Sequence, residues 1–173
     1  LALVAFAVLV WYVTTRNSIK RSELKIEEAE SGIDVALTKR FDVLTKSLDI
    51  TKGYADHEKQ TLFSVINLRK GASLIEKSTA SKQMDNAFEK INAIAEAYPE
   101  LKSSENFKRL QDSVADVEEH LQAARRLYNG NVTTYNEKIV SFPSSFVAGR
   151  MGVVKKEYFQ AEDLKTKDVE MKF

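Results

Sequence analysis

A chain of 173 residues has room for one folded unit of about 150 residues once an apolar N-terminal segment is set aside. It carries 26 basic and 25 acidic residues, a net charge of +1, so no overall field draws nucleic acid or an anionic substrate. With no cysteine it has no disulfide, no thiolate catalysis and no Cys-ligated zinc, and with only six Gly and two Pro it falls outside the collagen-like and disordered classes.

Residues 1–13, LALVAFAVLVWYV, contain no charge and end in Trp11 and Tyr12, an aromatic pair suited to a membrane interface. They predict a membrane-spanning helix. Thirteen helical residues cover about 20 Å of a hydrocarbon layer of about 30 Å, so the span is expected to begin upstream of Leu1. A cleaved signal peptide is the competing reading, opposed by a helical pattern that runs straight on through the junction. Arg16, Lys20, Arg21 and Lys25 follow, offset by Glu23, Glu27 and Glu28. With Trp11 and Tyr12 they form the candidate contacts to lipid headgroups; a solvated helix face explains them equally. A basic flank favours the cytoplasmic side for the folded part, but the rule compares both flanks and leaves the orientation open. An isolated apolar segment is ordered by lipid or by neighbouring copies, so the expected partners are the bilayer and further copies of the chain.

From Ile19 the apolar positions Ile26, Ala29, Ile33, Leu37, Phe41, Leu44 and Leu48 recur at helical spacing and carry the same helix to about Gly53. Leu62, Val65, Ile66, Arg69 and Ala72, then Met84, Ala87, Phe88, Ile91, Ile94, Ala95 and Tyr98, mark a second rod over 57–98. Its run EKSTASK at 76–82 is poor in strong helix formers, and reads either as a loop or as a weak patch in one helix. Pro99 stops this rod, PELKSS turns the chain, and Ser103 or Ser104 caps the longest stripe: Phe107, Leu110, Val114, Val117, Leu121, Ala124, Tyr128, Val132, Tyr135, Ile139 and Phe142.

Residues 14–53, 57–98 and 104–142 each reach about 60 Å at helical rise. Matched lengths predict an all-α fold: an elongated antiparallel bundle of three long helices, four if the middle one is interrupted, continuous with the membrane helix. The division expected is an anchor at 1–15, a bundle at 16–143, and a short helix with a tail at 144–173. Pro143 ends the third rod, and Ser144 or Ser145 is placed to cap the short helix carrying Phe146, Val147, Met151 and Val153. The last stretch, AEDLKTKDVEMKF, is polar and expected to fray.

Little in the chain suggests chemistry. His57-Glu58 resembles half of a zinc-protease motif, but the position four residues on is Thr61 and the other histidine, His120, lies on a different helix. Asp56, His57 and Glu58 are better read as a helix-end corner; a hydrolase built on that corner is the enzymatic alternative. No phosphate loop, nucleophile elbow or dinucleotide fingerprint occurs, and Glu27-Glu28 and Glu118-Glu119 have basic neighbours at ion-pair spacing. No catalytic residue, metal, cofactor or small-molecule substrate is therefore expected. Asn131-Val132-Thr133 matches a glycosylation sequon inside a helical run. More specific is YNGNVTTYN, in which Tyr128-Asn129 returns as Tyr135-Asn136 seven residues later. Seven residues restore nearly the same helix face, so both tyrosines join the core stripe and both asparagines flank it. There an amide can bond across to a neighbouring helix and fix its register, or recognise a partner helix.

Several segments in order, IDVALTKRFDVL (33–44), KGYADHE (52–58), AYPELKSSENFKRLQ (97–111), RRLYNGNVTTYN (125–136) and FPSSFVAG (142–149), resemble the LemA family of bacterial membrane-anchored helical proteins. That family typically has Gln-Leu-Lys-Arg-Arg-Tyr-Asp in the first segment and Ile-Pro-Asn-Leu after it. Here Ala36, Thr38 and Phe41 depart from the first, and Thr45-Lys46-Ser47-Leu48 replaces the proline-containing stretch. Without that proline the first helix runs on unbroken. The resemblance implies a membrane helix, a long helical bundle, no assigned catalysis, and an accessory or scaffold role beside membrane metalloproteases.

Overall fold

The structure, a computed structural model, describes residues 1–51 and 71–159. It is all-helical, with α1 at Ala2–Thr51, α2 at Leu74–Ala97, α3 at Pro99–Ser103, α4 at Glu105–Val140 and α5 at Ser144–Met151. Helix α1 is a single rod of 50 residues, about 75 Å long, that joins the apolar segment to the bundle without a break. Ile19, Ile26, Ala29, Ile33, Leu37, Leu44 and Leu48 on its stripe are buried, and Phe41 is half-buried beside them.

Helix α4 runs antiparallel to α1. Asn131 bonds the Lys25 carbonyl and Arg40 meets Glu118, so positions fall on one helix as they rise on the other. Ser104 caps α4 by accepting from the Phe107 amide at 3.2 Å, and Phe107, Leu110, Val117, Leu121, Tyr128, Val132, Tyr135 and Ile139 are buried as the stripe requires. Phe142 is the exception: the helix ends at Val140, and the ring lies 89% exposed beyond it.

Helix α2 differs most from expectation. The run 76–82 is helical, started by a capping box in which the Glu76 amide donates to Ser73 Oγ and the Ser73 amide donates to Glu76 Oε2. One straight rod over 57–98 is excluded, because residues 71–73 are not helical and Gly71 turns with φ +81°. The result is 24 residues, about 36 Å, running parallel to α1: Lys77 meets Glu30 and Asp34, and Arg40 meets Ser81 and Asp85. Pro99 opens the short α3 at its first turn, where a missing N–H costs nothing.

Two apolar cores result. One surrounds Ile19, Ile26, Ile33, Leu37, Leu121, Tyr128, Val132 and Tyr135, and the other surrounds Leu44, Leu48, Met84, Phe88, Ile91, Phe107 and Leu110. Val147 and Ala148 of α5, and Phe159 beyond it, belong to the first core, so residues 144–159 pack onto the bundle. Ser144 does not cap α5, as its hydroxyl donates instead to the Lys138 and Ser141 carbonyls and finishes the end of α4. The stretch expected to fray, 161–173, lies outside the described residues.

Candidate functional site

The Tyr-Asn repeat on α4 is the most specific polar construction in the described chain, and what it holds is not a helix. Past Gly152, which closes α5 in the left-handed region at φ +66°, residues 153–159 run back along α4 without regular structure. Asn136 Nδ2 donates to the Lys156 carbonyl at 2.9 Å while its Oδ1 accepts the Lys156 amide at 2.9 Å. Asn129 does the same to Phe159, donating to its carbonyl at 3.0 Å and accepting its amide at 2.8 Å. The tyrosine of each pair donates to a carbonyl in the same register, Tyr135 to Val154 at 3.2 Å and Tyr128 to Glu157 at 3.1 Å. The expectation of a helix-to-helix seam is therefore corrected. Each Tyr-Asn pair is a clamp on the main chain of a strap, and the repeated pair is a ladder of two clamps.

The spacing has a physical reason. Seven helical residues rise about 10.5 Å. Three residues of chain span at most about 10 to 11 Å, and only when extended. The strap advances three residues per clamp, from 154 and 156 to 157 and 159, so a heptad on α4 matches an extended tripeptide. Asparagine suits the clamp because its amide sets one donor beside one acceptor, the complement of a residue's own C=O and N–H. Burial in the clamp pushes the Tyr128 and Tyr135 hydroxyls above their ordinary pKa of 10.0, with the nearby carboxylates of Glu30 and Glu157, and of Glu23, adding to the shift.

Sequence reasoning missed a second feature, an ionic layer between the two cores. Arg40, only 5% exposed, is paired with Asp85, lies 2.8 Å from Glu118, donates to Ser81 Oγ at 3.0 Å and stacks 5.6 Å from the Phe88 ring centre. Ser81 Oγ also accepts from Arg125 Nη2 at 2.6 Å, and the Arg125 guanidinium covers the Phe159 ring at 5.1 Å. The layer thus links α1, α2 and α4 to the strap. Nearby, Lys77 bonds Glu30 at 2.9 Å and Asp34 at 2.7 Å. Burial works against its ammonium, but the bonds to Asp34 and Glu30 outweigh that and hold its pKa above 10.5. A signal for Arg40 was present. It falls three residues after Leu37 and four before Leu44, inside the stripe. The cleft beside this layer is lined by Arg40, Asp85, Phe88, Asn92, Gln111 and Glu118.

The remaining candidates disperse. Asp56, His57 and Glu58 lie outside the described residues. His120 is exposed and contacts only its own helix at Asp116 among the described residues, where no cluster fit for a metal occurs. Trp11 is at the edge of exposure, Tyr12 packs against the first core, and Arg16, Arg21 and Lys25 are exposed along α1. Lys20 is paired at 2.8 Å with Glu23, which raises its pKa and lowers that of Glu23. Asn131 of the sequon is occupied, donating to the Lys25 carbonyl. Glu118, expected to pair on its own helix, reaches across to α1.

These features define an all-α bundle with a laced strap, led by one helix long and apolar enough to cross a membrane. The family model for the LemA family matches residues 29–173, and the chain belongs to that family. It is 30% identical to Protein LemA of Metamycoplasma hominis over 164 residues, which is 92% of this chain and 75% of that protein. It is 32% identical to Magnetosome protein MamQ 2 of Paramagnetospirillum magneticum over 75 residues, 43% of this chain but only 28% of that protein. Magnetosome protein MamQ of Magnetospirillum gryphiswaldense is 32% identical over 74 residues, 43% of this chain and 27% of that protein.

Proposed function

We propose that this chain is a membrane-anchored helical scaffold that self-assembles at the membrane and has no catalytic role. The observation that carries the reading is the continuity of α1. Its first residues present Leu3, Val4, Phe6, Val8 and Leu9 uncovered, and the same rod supplies the central stripe of the bundle from Ile19 on. Uncovered apolar side chains over this length suit lipid better than water, and a rigid junction ties the bundle's position to the bilayer. Charged substitutions at Val8 and Leu9 (Val8→Glu with Leu9→Glu) are expected to leave the bundle's melting unchanged and to move the chain out of the membrane fraction; retention there overturns the anchor. Light scattering of the detergent-solubilised chain is expected to give a mass of two or more copies. A strictly monomeric mass overturns self-assembly.

A second reading, binding to or remodelling of anionic lipid, is supported by Arg16, Arg21 and Lys25, exposed on α1 just after the aromatic pair. Liposome flotation that rises with anionic lipid supports it, and flotation indifferent to lipid charge overturns it. An accessory role beside a membrane metalloprotease is supported by family membership alone, and crosslinking in native membranes followed by mass spectrometry tests it.

A further inference from the structure

We propose that the Tyr-Asn ladder of α4 is a peptide-binding site that reads the main chain of an extended segment, and that residues 154–159 of a second copy occupy it in the assembled protein. This rests on the self-assembling reading and names its contact.

The chemistry of the ladder sets the ligand class. All six bonds from Tyr128, Asn129, Tyr135 and Asn136 go to backbone groups of residues 154, 156, 157 and 159. The strap's side chains are held more loosely: Val154 is 72% exposed, the half-exposed Tyr158 accepts from Thr133 Oγ1 at 3.3 Å, and Lys156 Nζ lies 3.9 Å from Glu23. Phe159 alone among residues 154–159 is fully buried, its ring in the first core under Arg125. The site therefore takes an extended peptide with free N–H groups at the registers of 156 and 159, excluding proline there, and an aromatic side chain at the second register.

The occupant follows from what exchange costs. A foreign peptide displaces a tethered strap, which competes at an effective concentration in the millimolar range, and leaves that strap without partners. Reciprocal exchange between two copies leaves every ladder filled with the same six bonds, so each copy restores to the other what it gives up. Gly152 at φ +66° stands between α5, held by Val147 and Ala148, and the strap, so a rotation there redirects the strap without unpacking α5.

The probe is a fluorescent, amidated heptapeptide of residues 153–159, VVKKEYF, titrated into the full chain in detergent and followed by anisotropy. Phe159→Ala in the chain loosens its own strap and keeps the ladder, and is expected to bind the probe at least about tenfold more tightly than the unaltered chain. Adding Asn129→Ala and Asn136→Ala to that variant, or N-methylating the probe at Lys156 and Phe159, is expected to abolish the gain. If Phe159→Ala unfolds the bundle by circular dichroism, Phe159→Leu replaces it in the same comparison. No gain in binding, or equal binding of the methylated probe, overturns the site. A second arm co-expresses two differently tagged copies and measures co-purification from detergent. Loss of co-purification on Asn129→Ala with Asn136→Ala supports exchange. Undiminished co-purification overturns exchange and leaves self-assembly standing, whereas unaltered copies that do not co-purify overturn both the second-copy occupant and self-assembly.

Discussion

Asn129 and Asn136 each satisfy an N–H and a C=O that would otherwise lose water on packing, and that double duty makes them hard to replace. Alanine at Asn129 removes both partners of Phe159 at once. A loss of about 1 to 3 kcal/mol is expected, the cost of leaving part-buried backbone groups unpaired, together with faster amide exchange confined to 154–159. Exchange that stays protected there contradicts the clamp. The neighbouring Tyr135 separates two contributions. Its ring is 1% exposed, so Tyr135→Ala is expected to cost about 2 to 4 kcal/mol in chemical denaturation, as truncation of a large buried side chain does. Tyr135→Phe keeps the ring and gives up the bond to the Val154 carbonyl, with an expected loss of about 0.5 to 1.5 kcal/mol. The Tyr-Asn pairs were legible as special because the repeat fell on a seven-residue helical period. Their target was not legible, since nothing local to 128–136 names a segment some 20 to 30 residues further on.

Among the elements, α1 and α4 follow their stripes nearly residue for residue because a long amphipathic pattern leaves one face to bury. Helix α2 followed its stripe but not the expected direction, since apolar periodicity fixes which face is buried and not which way the helix runs, and Gly71 with the Ser73 cap sets only where it begins. The element-scale device is the layer built on Arg40. It sits where an apolar residue would continue the stripe, between Leu37 and Leu44, and holds carboxylates from α2 and α4. Replacing it by methionine removes the guanidinium that Asp85 and Glu118 share. A loss of about 2 to 4 kcal/mol is expected, at the low side of the range for breaking buried pairs because both carboxylates keep some access to water. A denaturation midpoint within error of the unaltered chain would show that the layer contributes nothing net.

For the molecule as a whole, three buried groups protonated in the native bundle, Lys77, Tyr128 and Tyr135, bind their protons more tightly folded than unfolded, as does the exposed Lys20. The sign follows from linkage. Their contribution is fully present below the unfolded values of 10.0 and 10.5, and it is lost as pH rises through the higher folded values. Denaturation midpoints are therefore expected to fall above about pH 10, and Tyr128→Phe with Tyr135→Phe is expected to make that alkaline limb shallower. An equally steep limb in the double variant would remove the two hydroxyls as its cause.

Helix class, the lengths of α1 and α4, the apolar leading segment and the family were settled by the sequence itself. Hydrophobic periodicity and capping act over a few turns, and short-range spacing is written directly in the order of residues. The parallel course of α2, the ionic layer at Arg40 and the lacing of residues 154–159 onto α4 came only with the tertiary structure. Each joins groups tens of residues apart, and the bond a side chain makes there depends on which surface packing brings within about 3 Å of it.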